Sequence, residues 1–351
     1  MNFLERVCCC SLIWLGFFST SLLLFARERI IHNISLVKRV VTPLPFPTNT
    51  FQWSNGHLYC LNHEKQSIVM LSATNGTIQQ EFGRKGKAQG EFQGLFGLIV
   101  NTNEVIGIDI NQGTITEFDQ RGKMTKLYKH SKQILCAIQL TTPNIYLVKP
   151  LEPFENNKEQ FQIINVENHT LQAIYANPQT SPPDVESLFA GFIRPQMQSI
   201  YFNGPILTNR AGYIFRVSTY CNEFLAFDET SGRVLYGRKT LNVSANDNAK
   251  ETVPKISTDI KTMRPINLSA AANSQFLFIL SNAASPSNKD AETNMTDERF
   301  IDAYKVQNGD YVFSFSIPKH NDKRAKALTM TEEFIWVLYD NEIVQYSYHL
   351  P

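Results

Sequence analysis

One pattern governs what this chain can fold into. A short apolar strand is followed by a strand–turn–strand hairpin, and the pair recurs along nearly the whole sequence. The apolar strands are read at 57–61, 105–108, 144–148, 212–217, 275–280 and 333–339. The hairpins are read at 69–82, 115–128, 162–175, 224–236 and 301–315, with Gly76, Gly122, Asn168, Gly232 and Gly309 in their turns. Alternating apolar residues interrupted by Gly or Asn are the ordinary signature of a hairpin. The sixth copy carries one further strand at 343–348 and lacks an outer partner.

Repeats of this length form solenoids or rings, because one unit cannot bury both of its faces alone. The missing sixth partner decides between them. A ring must join its first and last units, and a strand from the other end of the chain can do so. The segment 33–41, Asn-Ile-Ser-Leu-Val-Lys-Arg-Val-Val, is the candidate. The predicted fold is therefore all-β: a six-bladed β-propeller over 30–351, closed by an N-terminal strand. Pro-, Asn- and Ser-rich insertions at 177–183, 242–254 and 283–298 lengthen the later units. No segment reads as a long amphipathic helix, and the ring is expected to be one domain.

The best-preserved unit begins Phe82-Gly-Arg-Lys-Gly-Lys-Ala-Gln-Gly-Glu-Phe92 and continues through strands at 95–100, 105–109 and 115–119 to Gly122. It resembles the NHL-repeat type of six-bladed propeller. Phe82, Gly83, Gly86, Gly90, Glu91, Phe92, Gly97, Asp109, Asn111, Phe118, Asp119 and Gly122 fall at that family's places. The resemblance departs at Gly94-Leu95, where a Pro is common, and at Thr114, where an Arg is common and often makes a salt bridge. It covers this one unit; the others share only the strand order, as in divergent propellers of bacterial envelope proteins.

Residues 1–29 stand apart. Val7 to Phe25 is uncharged and mostly apolar, close to the length a helix needs to cross a bilayer. Arg27 follows directly, with no small-residue cleavage site, so an uncleaved signal anchor is expected rather than a cleaved signal. Arg27, Arg29, Lys38 and Arg39 outnumber Arg6, which argues against export of the C-terminal part. A large β domain behind a signal anchor argues for it, and an extracytoplasmic propeller on a single-pass anchor is the expectation. Cys8, Cys9 and Cys10 lie at the start of the apolar run and are read as membrane-embedded thiols.

Three cysteines remain, Cys60, Cys136 and Cys221. Their odd number excludes a full disulfide framework, and buried reduced thiols are expected. No CxxC or His-rich spacing points to zinc. The net charge of +1 gives no reason to expect nucleic acid.

In a propeller, the loops entering each blade and those joining its second and third strands share one face. That scheme gathers Arg84, Lys85 and Lys87 with His63 and Glu64, Asp109 and Asn111, Asn222 and Glu223, and Asp340 and Asn341. The long insertions join them. The face is read as a surface for a protein, peptide or glycan partner, without cofactor or catalysis. Each residue taken singly is also an ordinary solvated turn residue. The glycines of 83–90 do not make a phosphate loop, because no helix follows. Asp109 and Asn111 fall short of the oxygens calcium requires. The alternative is a propeller hydrolase or lyase with a metal or paired carboxylates in the central channel; a structural envelope component is a third reading. Asn-x-Ser/Thr sequons stand at Asn33, Asn75, Asn168, Asn242, Asn267 and Asn294.

Overall fold

The computed structural model describes residues 30–31, 37–101, 103–150, 159–168, 170–176, 204–209, 211–219, 223–230, 234–241, 265–282, 299–331 and 333–348. Their strands form six four-stranded sheets. Blade I holds β2 (Phe51–Ser54), β3 (His57–Asn62), β4 (Ser67–Ser72) and β5 (Ile78–Phe82). Blade II holds β6 (Leu95–Val100), β7 (Glu104–Asp109), β8 (Thr114–Asp119) and β9 (Met124–Lys129). Blade III holds β10 (Ile134–Gln139), β11 (Ile145–Pro150), β12 (Glu159–Asn165) and β13 (Thr170–Ala176). Blade IV holds β14 (Ile206–Thr208), β15 (Tyr213–Val217), β16 (Glu223–Asp228) and β17 (Val234–Lys239). Blade V holds β18 (Asn267–Ala272), β19 (Phe276–Asn282), β20 (Arg299–Lys305) and β21 (Tyr311–Ile317). Blade VI is β22 (Ala327–Met330), β23 (Phe334–Leu338), β24 (Glu342–Ser347) and, outermost, β1 (Val37–Pro43).

The expected closure is present. β1 pairs antiparallel with β24, from Val37 opposite Ser347 to Pro43 opposite Glu342. It lies slightly later than the predicted 33–41, and residues 32–36 fall outside the described part. β1 ends at Pro43, and Leu44 N–H just beyond it donates to the Asn341 carbonyl at 2.8 Å. The first strands of successive blades contact one another in a complete cycle: β2 with β6, β6 with β10, and on through β14, β18 and β22 back to β2.

Burial explains why the blades stack. The second strand of each sheet is flanked by sheet neighbours on both sides and by a blade on each face. It therefore reads as a near-continuous apolar run, as in β3, β7 and β23. Six apolar clusters result, each between consecutive blades. Tyr59, Phe82, Phe92 and Phe118 join I to II. Ile106, Ile108, Tyr146 and Val148 join II to III, and Leu147, Ile214 and Phe227 join III to IV. Phe215, Phe224 and Tyr304 join IV to V, and Phe278, Phe313 and Tyr346 join V to VI. Leu58, Leu71, Trp336 and Ile343 close VI onto I.

The innermost strands are stitched across blades by polar side chains. Gln52 donates to the Leu98 carbonyl at 3.0 Å and accepts from Val100 N–H at 2.7 Å. Asn101 bonds Gln139, and the Ser269 hydroxyl accepts from Leu328 N–H at 3.2 Å.

Because neighbouring strands are antiparallel, the connections alternate between two faces. The blade-to-blade connections and the turns between second and third strands emerge on one, called here the upper face. The turns between first and second, and third and fourth, emerge on the lower. Of the sequons, Asn75 and Asn168 are exposed on lower turns. Asn267 is wholly buried and donates to the Ser218 carbonyl at 2.7 Å, so it is no acceptor for a glycan. Cys60 is buried and free, its thiol pKa pushed up by burial; Cys136 is half-buried. Cys221 and the predicted membrane helix lie outside the described residues.

Candidate functional site on the upper face

The connection between β5 and β6, residues 83–94, is the Gly-rich stretch. Its Phe92, and Phe82 just before it, pack edge to face against Phe118 of β8, with ring centroids 6.1 Å apart in each pair. Gly83 must be glycine: its φ is +67°, and a Cβ there would lie 2.3 Å from the Phe92 ring. The loop then closes on itself. Phe92 N–H donates to the Arg84 carbonyl at 2.8 Å, and Gly86 N–H donates to the Phe92 carbonyl at 3.0 Å. Glu91 accepts from Ala88 N–H at 3.0 Å and from Arg84 Nε at 2.8 Å. Those two donors hold its carboxyl below the usual range. Arg84 pairs within its own loop while staying exposed, and Lys85 and Lys87 are exposed beside it.

Asp109 fastens this loop to the inner turn of blade II. Its carboxylate is wholly buried. One oxygen accepts from Gln93 N–H at 2.5 Å, Gly94 N–H at 3.1 Å and Gln112 Nε2 at 3.2 Å. The other accepts from Asn111 N–H at 2.9 Å and Gln112 N–H at 2.8 Å. Asp109 is on the predicted face but is not a surface residue: its oxygens are occupied in positioning the loop. Asn111 beside it is exposed and donates to the Gln93 carbonyl at 3.3 Å.

The other predicted residues are placed as follows. His63 Nε2 lies 2.6 Å from Asn49 Oδ1, and Glu64 is exposed. Glu223 is buried at the start of β16, and Asn222 lies outside the described residues. Asn341 is exposed, its carbonyl accepting from Leu44 N–H at 2.8 Å. Asp340 sits 2.6 Å from Lys326 Nζ and 3.2 Å from Lys323 Nζ.

Those lysines belong to a stretch that sequence reasoning passed over. Residues 318–326, Pro-Lys-His-Asn-Asp-Lys-Arg-Ala-Lys, connect blades V and VI on the upper face. The density of Lys and Arg in nine residues was the available signal. Tyr339 OH donates to the Pro318 carbonyl at 2.8 Å, and His320 Nε2 lies 3.1 Å from Glu342 Oε2. The connection is therefore held down while its cations stay at the surface.

Hydrogen bonds from Lys326 and then Lys323 hold the Asp340 carboxyl below its ordinary value of 3.8. A carboxyl depressed by folding contributes stability above its unfolded pKa and loses it as the pH falls through the folded value. In a carboxyl-resolved NMR titration, Asp340 is expected to protonate only below that ordinary value. Lys323→Met with Lys326→Met should return the midpoint upward; an unchanged midpoint contradicts the pairing.

The six innermost strands surround a channel of about 990 Å³. Its wall mixes apolar side chains, such as Phe96, Leu98, Ile138 and Leu328, with polar ones, such as Gln52, Gln139, Lys149 and Thr329. Phe96, 54% exposed, stands near its upper mouth. Glu104 is the one carboxylate among the described residues of the wall. Among the described residues, no three His, Cys, Asp or Glu side chains come together in a metal-binding group.

The class defined by this architecture is the six-bladed β-propeller. No protein-family model matches the chain, and no curated protein matches it in sequence. Solved structures do resemble it. A protein described as exported from Bacteroides fragilis aligns with a TM-score of 0.52 at 10% identity, over 90% of this chain and 94% of that one. A DUF4221-family member from Bacteroides vulgatus aligns with a TM-score of 0.55 at 10% identity, over 90% and 98%. The WD40 domain of Neurospora crassa Pan2 aligns with a TM-score of 0.52 at 7% identity, over 92% and 98%. At such identities the likeness establishes the fold and nothing finer.

Proposed function

We propose that this chain is a membrane-anchored, non-catalytic propeller that recognises a protein, peptide or glycan partner on its upper face. The observation that carries the reading is how that face is built. Two blade-to-blade connections, 83–94 and 318–326, are held by hydrogen bonds and present exposed cations on the upper face. Fixed loops that present charge lose little entropy on binding, which favours recognition. The insertions at 177–199, 240–262 and 283–298, which the sequence pattern assigns to the same face, lie outside the described residues except for 240–241. Blade II retains the NHL-like spacing, in keeping with a divergent member of that type. The description of the Bacteroides fragilis neighbour as exported is in keeping with an extracytoplasmic ring, and the run from Val7 to Phe25 supplies the anchor.

The test is capture of partners from detergent-solubilised source membranes by the full chain. Lys85→Glu with Lys87→Glu is expected to weaken capture of any specific partner at least ~10-fold, the range set by several charged rim contacts. Arg121→Glu with Lys123→Glu, a charge-matched pair on a lower turn, should leave capture unchanged. Equal loss from both pairs, or from the lower pair alone, overturns the assignment of the face.

A further inference from the structure

The stretch of chain that follows the apolar run is held on the ring at a defined place. Ile30 N–H donates to Tyr311 OH at 2.8 Å, and the Ile30 carbonyl accepts from Ser314 N–H at 3.0 Å. Ile31 forms a parallel bridge with Ser314. All three contacts are to β21, the outermost strand of blade V. The chain next forms β1, the outermost strand of blade VI. The end of β1 meets the outer hairpin of blade I, where Thr42 Oγ1 donates to the Ala73 carbonyl and the Pro43 carbonyl crowds Gly76. Residues 30–31 and 37–43 thus lie along the outer rim of blades V, VI and I.

The exposed large hydrophobic residues follow the same arc. Among the described residues they are Ile30 and Ile31, each 56% exposed, Ile78, 51% exposed, and Phe96 in the channel. Ile78 begins β5, the outermost strand of blade I, beside the end of β1. One exposed isoleucine is unremarkable in a soluble domain. Three along the arc where the chain arrives point to a surface that meets something apolar.

Chain length says what it meets. Four residues, 26–29, separate Phe25 from Ile30. Even fully extended they let Ile30 stand at most ~18 Å from the end of the apolar run. Arg27 and Arg29 lie in that stretch and Lys38 and Arg39 in β1, and such cations suit anionic headgroups. We infer that the ring docks edge-on to a lipid bilayer, with the rim of blades V, VI and I against the headgroups. This rests on the reading of Val7 to Phe25 as an anchor. It leaves the upper face and the channel mouth open to solvent rather than pressed to lipid.

Photocrosslinking of the full chain tests this, in vesicles of phosphatidylcholine with a minor share of phosphatidylglycerol. The probes are Ile78→benzoylphenylalanine on the rim and Lys87→benzoylphenylalanine on the upper face. Both side chains are exposed, so neither probe should disturb folding. Adducts to lipid are expected several-fold more often at 78 than at 87. Equal labelling, or labelling at 87 alone, in protein that resists carbonate extraction overturns the edge-on placement and leaves the anchor standing. Release of the full chain by carbonate overturns the anchor and this inference with it.

Discussion

A chain that begins at Leu44, and so lacks β1, is expected to have no cooperative unfolding transition, whereas one that begins at Ile30 should unfold in a single step. The reason lies in what β1 joins. It supplies every ladder bond on the open side of β24, from Val37 to Pro43. Val41 packs against the cluster formed by Ile335, Val344 and Tyr346. Thr42 reaches the Ala73 carbonyl in blade I, so the strand also ties the last blade to the first. Removing it bares the outer edge of β24 and thins the cluster between blades V and VI against which Val41 packs. The expected loss is comparable to the whole stability of a domain, ~5–15 kcal/mol. Urea unfolding followed by tryptophan fluorescence, with size-exclusion chromatography, reads the result. A peptide spanning 30–43 added in trans should restore part of the transition, since an open edge accepts a donated strand. A stable, monomeric, cooperatively folded chain from Leu44 onward would contradict this assignment.

The second large effect is expected at Asp109. Asp109→Ala leaves four backbone N–H groups, of Gln93, Gly94, Asn111 and Gln112, without their acceptor. Unmet buried donors cost about 1–3 kcal/mol each, and partial relaxation of a loop recovers some of it. A loss of about 3–5 kcal/mol is therefore expected in urea unfolding. Asp109→Asn keeps one acceptor oxygen but turns an NH2 toward N–H donors, and should cost less. The functional consequence is separate from the thermodynamic one. Asp109 and Gln112 hold the 83–94 connection, with Gln112 Nε2 also donating to the Glu91 carbonyl at 3.2 Å. Amide exchange across 83–94 should accelerate in the variant under conditions where the ring remains folded. Unchanged exchange there would mean that the loop positions itself.

Asp109 also shows what a sequence yields and what it withholds. Its place at the end of β7 was legible, and so was its face. Its burial was not, because five donors reach it from residues up to sixteen positions away. Arg84 is similar: the cation was plain, while its engagement by Glu91 depended on the fold of the loop. The second, third and outer strands were readable because their apolar residues face neighbouring blades. Most innermost strands were not. β14 spans only Ile206–Thr208, and β18 reads Asn-Leu-Ser-Ala-Ala-Ala, with no alternation to detect. Such strands line a channel and are fixed by neighbours across blades, as Gln52 fixes Leu98 and Val100, so their own sequence carries little pattern. The missing outer strand of the last unit was the firmest clue, since it followed from counting rather than from propensity.

The central claim is a single ring of six blades closed by its own N-terminal strand. Val41 and Val344 are paired across β1 and β24, which places their Cα atoms within reach of a disulfide. Oxidising Val41→Cys with Val344→Cys and mapping linked peptides by mass spectrometry tests the claim most directly. A link between the peptides carrying 41 and 344 within one folded monomer is expected. No link, or a link only between two molecules, would contradict it.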